Sequence, residues 1–219
     1  MSVLVIVLKH KAIDYDIDYI ELADPPQWFL ALSPLKKAPV LQVGDHVIFE
    51  STVINEYLDE AHPNKLHPDN LITRAYNRSW IEFGNSCTWN AFHLSVKDNE
   101  KEFNEVWQDL LEKFDAIEKV IIGTPFFNGS EFSLVDASYA PLLQRLDFLN
   151  QLRSGILDNS RHPKLCQWKN DLLSLKVVQQ SSVSNIKALY EDLLWKRQGF
   201  VAQFLDKSKC RKPVESGVY

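Results

Sequence analysis

The hydrophobic pattern of the chain changes near residue 62, and this change constrains the fold more than any other feature. Before it, short apolar runs alternate with turn signals. Asp16–Leu22 alternates in the manner of a strand, Gln27–Leu32 is a short helix, and residues 39–49 form a hairpin around Gly44-Asp45. A helical pattern follows over Ser51–Glu60. Strands that alternate with helices in this way predict a small α/β unit.

The second part of the chain is helical in pattern throughout. A linker with two prolines and two histidines, Ala61–Asn70, separates it from the first part. The predicted helices are Leu71–Val96, Glu100–Ile122, Leu134–Leu149, Pro163–Lys176 and Ser184–Phe204. We therefore expect an α/β domain over residues 1–62 and an all-α domain over residues 70–219.

Composition excludes several classes of protein. The 219 residues are 45% hydrophobic, which is enough for a sizeable core, and the net charge of -5 argues against bulk electrostatic binding of nucleic acid. No apolar run reaches the roughly 18 residues that a membrane-spanning helix needs, so no membrane partner is expected. The six histidines lack metal-ligand spacing, so we expect no metal. Cys87, Cys166 and Cys210 form no disulfide framework, which suits a cytoplasmic protein.

A loop, a hairpin and a helix start carry the strongest functional pattern. Pro39 stands where a loop enters a strand, and a cis peptide bond there would leave the N–H and C=O of Ala38 free to bind a short peptide. Ser51 opens a helix whose N-terminus would hold a carboxylate, and Glu50 beside it could accept from an ammonium group. Alone, each feature also suits an edge proline or a helix cap. Their combination indicates a site for an amino acid or peptide.

In this combination and domain order, the chain resembles the cytosolic glutathione transferase superfamily over nearly its whole length. The resemblance implies a thioredoxin-like domain followed by an all-helical domain, with glutathione as co-substrate. It implies that Ala38, before Pro39, binds the cysteinyl backbone, that Glu50 and Ser51 bind the γ-glutamyl end, and that Lys37 approaches the glycyl carboxylate. The segment Asp24–Phe29 is similar to the omega-, tau- and beta-like branches, without deciding among them.

A second family feature lies in the helical part of the chain. Ser133-Leu134-Val135-Asp136-Ala137 resembles the family's capping box, in which Ser133 caps the helix and Asp136 reaches back to the Ser133 amide. Phe132 would pack against Ala137. This arrangement is structural, so we do not expect Asp136 to act as a catalytic base.

The start of the chain departs from the family pattern. Val3–Lys11 is similar to the family's first helix, although its β-branched residues also suit a strand. If it is that helix, the first strand and the catalytic loop, which carries Ser, Tyr or Cys, are missing before it. Ser2 would then fall within the helical part of the match and is a poor nucleophile candidate. The catalytic residue is therefore unknown, and we expect the natural chain to carry a further N-terminal segment.

The aromatic residues of the first long helix predict a pocket for a second substrate. Trp80 and Phe83 are expected to form part of the core and part of a pocket wall near the domain junction. Cys87 could line the same pocket, but it also suits a small buried hydrophobic residue.

The resemblance implies an enzyme, a homodimeric glutathione transferase that acts in detoxification. It would conjugate glutathione to small apolar electrophiles or carry out glutathione-dependent thiol reduction. Two alternatives stay open, because a fold does not determine a function. One is a non-catalytic interaction protein that resembles the stringent starvation protein A group, whose members bind RNA polymerase. The other is a carrier that binds apolar ligands without turnover.

Overall fold

A computed structural model of the chain describes residues 3–123 and 125–206. Its first part contains three helices and one hairpin. They are, in chain order, α1 (Val3–His10), α2 (Gln27–Leu32), β1 (Val40–Val43), β2 (His46–Phe49) and α3 (Ser51–Ala61). The helical interpretation of the first apolar run is therefore confirmed, as are α2, the hairpin and α3.

Helix α1 shows why local propensity alone mispredicts this segment. Its sequence is rich in β-branched residues, yet five consecutive side chains, Leu4–Leu8, are buried. The helix packs against α3 on one side and against the helical part of the chain on the other. A helix buried on most faces is apolar all round, and its tertiary contacts override the weak preference of valine and isoleucine for strands.

The predicted strand at Asp16–Leu22 is wrong, because this segment has no regular secondary structure. In the part of the chain that the structure describes, the sheet consists of β1 and β2 alone, paired antiparallel. Gly44 has a φ of 58° in the turn between them. A strand exists only where its backbone groups pair with a neighbour, and neither hairpin strand pairs with residues 16–22.

The second part of the chain is helical, as predicted. Its elements are α4 (Leu71–Leu94), α5 (Glu100–Val120), α6 (Leu134–Leu152), α7 (Pro163–Ser174), α8 (Lys176–Gln179), α9 (Ile186–Arg197) and a 3-10 turn at Phe200–Phe204. The single helix predicted over 184–204 is broken. Gln198 has a φ of 54°, and a Cβ on Gly199 would lie 3.1 Å from the carbonyl oxygens of Ser95 and Lys97. The chain turns there because it passes close to the end of α4. Within residues 3–123 and 125–206, no helix is both long and apolar enough to cross a membrane.

The centre of the core is α6, and its N-terminus contains the capping box. Asp136 is fully buried, and the backbone amide and hydroxyl of Ser133 donate to one of its carboxylate oxygens at 2.8 and 2.6 Å. The Phe127 amide and the Trp168 indole donate to the other at 2.8 and 2.7 Å. Burial raises the pKa of this carboxyl above its usual value, although all four hydrogen bonds favour the charged form. The group joins three segments of the core.

A buried ion pair joins the first part of the chain to the linker. The Lys11 ammonium lies 2.9 Å from an Asp59 carboxylate oxygen, and their side chains are 0% and 2% exposed. Lys11 also donates to the Asn64 carbonyl at 3.0 Å, while Asp59 accepts from the Leu66 and His67 amides at 2.7 and 3.0 Å. The pair therefore fixes the end of α3 against the end of α1 and the start of the linker.

Candidate functional site

The loop before β1 presents a free stretch of backbone. The Ala38–Pro39 peptide bond is cis, and β1 begins directly after it at Val40. The buried Ser33 hydroxyl donates to the Lys37 carbonyl and accepts from the Lys37 amide, both at 3.0 Å, so it holds the loop in place. Ala38 is exposed, and no hydrogen bond joins its backbone to another described residue. Its N–H and C=O can therefore bind a ligand.

The N-terminus of α3 supplies a second recognition element. Glu50 precedes the helix with a φ of 68° and does not cap it with its side chain. Such a backbone conformation is uncommon outside glycine. Ser51 is exposed at the first helical position. The first amides of a helix have no partner within it, so together with the Ser51 hydroxyl they can hold a carboxylate.

The hairpin brings these two elements together. Val40 is paired with Phe49, so Pro39 and Glu50 flank the same pair at the open end of the hairpin. The free Ala38 backbone and the start of α3 consequently lie at one end of a two-stranded sheet. The five residues predicted for glutathione binding, Lys37, Ala38, Pro39, Glu50 and Ser51, fall on this continuous edge.

The charges on this edge are available to a ligand. Lys37 and Glu50 are both exposed, and neither forms an ion pair with another described residue. A ligand with one ammonium group and two carboxylates would be complementary to this edge. Its ammonium could bind the Glu50 carboxylate, and its two carboxylates could bind the Lys37 ammonium and the N-terminus of α3. Sequence reasoning missed Ser33, whose side chain orders the loop. The signal that could have identified Ser33 is the Ser33-Pro34 pair, which is typical of a turn and stands four residues before Lys37.

The residues predicted for a substrate pocket have different environments. Trp80 and Phe83 are half-buried on α4, with ring centroids 5.1 Å apart, and Trp80 also packs on Phe127. Cys87 lies in the core and not on a pocket wall, because it is 0% exposed. Burial raises the pKa of its thiol to about 12. A buried thiol with a raised pKa is a poor nucleophile.

A cavity of about 480 Å³ lies further along α4, between α4, α6 and α9. Its apolar walls include Trp89 and Phe92 of α4, Phe148 of α6, and Leu189 and Leu193 of α9. Sequence reasoning assigned the aromatic residues of α4 jointly to core and pocket and missed the contribution of α9. The aromatic residues late in α4 are visible in the sequence, but only the structure shows that Trp89 is 65% exposed.

The catalytic group is not identified. Cys166 is buried like Cys87, and burial raises the pKa of its thiol as well. Ser2 and Cys210 lie outside the described residues. Within 3–123 and 125–206, no three His, Cys, Asp or Glu side chains are grouped so that they could hold a metal ion.

Two family models match the chain. Residues 3–61 match the glutathione S-transferase N-terminal domain, and residues 100–168 match the glutathione S-transferase C-terminal domain. The first match begins at α1 and includes the whole edge from Lys37 to Ser51, and the second ends at Trp168, the indole partner of Asp136.

Individual proteins show the same similarity. The omega-1 glutathione S-transferase of Sus scrofa is 30% identical over 167 residues, which are 74% of this chain and 68% of that protein. A stringent starvation protein A homolog of Haemophilus ducreyi is 34% identical over 152 residues, which are 68% and 71% of the two chains. A rice transferase structure in complex with glutathione has a TM-score of 0.77 and 21% identity, and covers 89% of this chain and 91% of its own. This chain therefore belongs to the cytosolic glutathione transferase superfamily, with a thioredoxin-like domain followed by a helical domain.

Proposed function

We propose that the chain is a glutathione transferase that binds glutathione along the edge from Lys37 to Ser51. The observation that carries this proposal is the free backbone of Ala38 beside the open N-terminus of α3, at one end of the hairpin. The cysteinyl backbone of glutathione would pair with Ala38. Its γ-glutamyl carboxylate would bind Ser51 and the first amides of α3, and its ammonium would bind Glu50. Lys37 would approach the glycyl carboxylate.

Glutathione is also the ligand of related proteins. The pig relative is called a glutathione S-transferase, and the rice structure is described as a complex with glutathione. These names support glutathione as the ligand of this chain. They do not distinguish among its reactions.

The proposed reaction is attack by the glutathione thiolate on a small apolar electrophile. A carbon–sulfur bond forms, the leaving group departs with the bonding electron pair, and the thiol proton passes to solvent. The other reaction we propose is reduction of a disulfide substrate, in which two glutathione molecules are oxidised to their disulfide. The reaction would be accelerated by a lowered pKa of the glutathione thiol and by the proximity of the two reactants. We propose a cytoplasmic homodimer with a thioredoxin-like domain over 1–62 and a helical domain over 70–219.

A second candidate function is a non-catalytic interaction protein on the same scaffold. The 34% identity to the stringent starvation protein A homolog favours it. The unpaired Lys37 and Glu50 on the glutathione edge favour the transferase.

Calorimetric titration with glutathione tests the proposal. We expect saturable binding by the full chain and about tenfold weaker binding by Ser51→Ala, because that variant loses a hydrogen bond to a charged group. Ser79→Ala is the matched control, since Ser79 is exposed on α4 and donates only to the Ala75 carbonyl. No binding by folded protein, or equal binding by Ser51→Ala, would contradict the proposed site.

Turnover then separates the two candidates. The transferase should conjugate 1-chloro-2,4-dinitrobenzene or reduce hydroxyethyl disulfide with glutathione. Glutathione binding without turnover of either compound would favour the interaction protein.

A further inference from the structure

Residues 13–21 have the sequence pattern of a strand but no strand to pair with. They contain no helix, turn or bend. Among the residues that the structure describes, none forms a backbone hydrogen bond with the backbone of residues 14–20. Unpaired backbone groups of this kind are a template for an added strand, so the segment is free to pair with a strand from outside.

Alternate side chains of this segment form an apolar face that begins on the core and continues into solvent. Ile13 and Tyr15 are half-buried and pack against the core. Ile17 and Tyr19 follow at the same spacing and are 46% and 76% exposed. Because every second side chain of a strand points to the same side, one covering strand would shield both from water.

The opposite face of the segment is acidic. Asp14, Asp16 and Asp18 are exposed, and none of them forms an ion pair or a hydrogen bond with a described residue. Residues 12–35 contain five acidic residues and no lysine, arginine or histidine. Such a concentration of one charge attracts a basic partner and repels an acidic one.

We propose that residues 13–21 bind an extended segment of a partner protein in which basic and apolar residues alternate. The partner strand pairs with the free backbone, with its basic side chains opposite the three aspartates and its apolar side chains on Ile17 and Tyr19. This inference does not depend on the proposed glutathione site, because no residue of the edge from Lys37 to Ser51 takes part in it.

Charge argues against a second copy of this chain as the partner. Antiparallel pairing of the segment with itself would place aspartates opposite one another on the acidic face. Like charges that face each other across a strand pair are destabilising. The acidic face therefore selects a basic strand.

Three short synthetic peptides test the proposal on the full chain. One alternates lysine and valine, and the second alternates glutamate and valine. The third alternates lysine and proline, so it keeps the positive charge but cannot pair as a strand. We expect the lysine–valine peptide to bind at least about tenfold more tightly than either of the others in calorimetric titration. Sodium chloride should weaken its binding.

Amide hydrogen exchange shows whether binding forms a strand. The amides of residues 14–20 have no backbone acceptor among the described residues and should exchange fast in the free chain. The lysine–valine peptide should protect alternate amides of this segment, because only alternate amides of a strand point to one neighbour. The lysine–proline peptide should protect none of them.

Substitutions test the two faces separately. Asp16→Lys reverses the central charge of the acidic face and should weaken binding of the lysine–valine peptide about tenfold. Tyr19→Ser removes an exposed ring and should weaken binding without changing the Tm of the free protein. Glu105→Lys is the matched control, because it reverses the charge of an exposed and unpaired carboxylate on α5 and should leave the affinity unchanged.

Four results would overturn the proposal. The first is no binding of the lysine–valine peptide by folded protein, or equal binding of the lysine–proline peptide. The second is binding without protection of residues 14–20, and the third is an equal loss of affinity in Asp16→Lys and Glu105→Lys. The fourth is tighter binding by Lys209→Glu. Residues 207–211 of this chain have basic side chains at alternate positions, and that result would make them the occupant in place of a partner protein.

Discussion

Replacement of Lys11 by methionine should destabilise the protein strongly. Methionine keeps most of the buried aliphatic volume but removes the ammonium that lies 2.9 Å from Asp59. The Asp59 carboxylate then remains buried, with only the Leu66 and His67 amides as partners. Loss of one partner of a buried ion pair costs about 3–5 kcal/mol. In a chain of 219 residues that corresponds to a fall in Tm of roughly 6–20 °C.

The loss of stability in Lys11→Met should depend on pH, in a direction that follows from the ionisation of Asp59. Burial raises the pKa of its carboxyl, but the hydrogen bonds from Leu66, Lys11 and His67 outweigh burial and hold the pKa below its usual value. Ionised Asp59 therefore stabilises the fold above the unfolded-state pKa of about 4. This stability is lost as the pH falls through the lower folded-state pKa. Below both values Asp59 is neutral, so the difference between the variant and the unchanged protein should narrow in acid.

Urea unfolding at pH 7 and at about pH 2, well below the unfolded-state pKa of about 4, measures both effects. Lys65→Met is the matched control, because Lys65 lies 3.6 Å from Asp69 in an ion pair whose side chains are 53% and 90% exposed. This control should change the free energy of unfolding by less than about 1 kcal/mol. A loss of less than about 1 kcal/mol in Lys11→Met, or the same loss at both pH values, would refute the reasoning.

Three further predictions concern packing inside the helical part. Gly84→Ala should lower the Tm, although alanine favours a helix by about 1 kcal/mol relative to glycine. The added Cβ would lie 2.7 Å from the buried Tyr139 ring, and overpacking costs about 1–3 kcal/mol. An unchanged or higher Tm would show that the ring can move aside. Cys87 should react with a thiol reagent at pH 8 far more slowly in the folded than in the unfolded protein, because burial raises its pKa to about 12; equal rates would contradict its burial. Asp136→Ala should lower the free energy of unfolding by at least about 3 kcal/mol, because four buried donors, including the Trp168 indole, lose their acceptor. A loss under about 1 kcal/mol in urea unfolding would show that these donors find other partners.

The secondary structure could largely be predicted from local patterns. The spacing of apolar residues placed α3, α5 and α6 to within a few residues, because a helix in a folded protein buries one face and its sequence records that face. The same reasoning failed at Asp16–Leu22, whose alternation suits a strand. Pairing decides whether a strand forms, and pairing depends on a neighbour that the local pattern does not describe.

The two candidate sites differ in how far sequence could predict them. The edge from Lys37 to Ser51 lies within fifteen residues of chain, and a short hairpin brings its ends together, so the family resemblance could assign its members residue by residue. The cavity could not be predicted, because Trp89, Phe148 and Tyr190 belong to three helices far apart in sequence. Whether Cys87 lies in the core or on a pocket wall could not be predicted for the same reason. Which face of α4 is covered depends on the helices that pack against it.

The sequence by itself therefore predicted the hairpin, most of the helices, and the capping box at Ser133 and Asp136, and it carries the residues proposed for the glutathione edge. Each of these depends on neighbours within one or two turns of chain. Only the tertiary structure decided that Lys11 pairs with Asp59, that Cys87 is fully buried, and that Arg145 and Arg197 line one cavity. These contacts join distant segments. They form only when the packing of helices removes the groups from water, and that packing depends on all the apolar faces together.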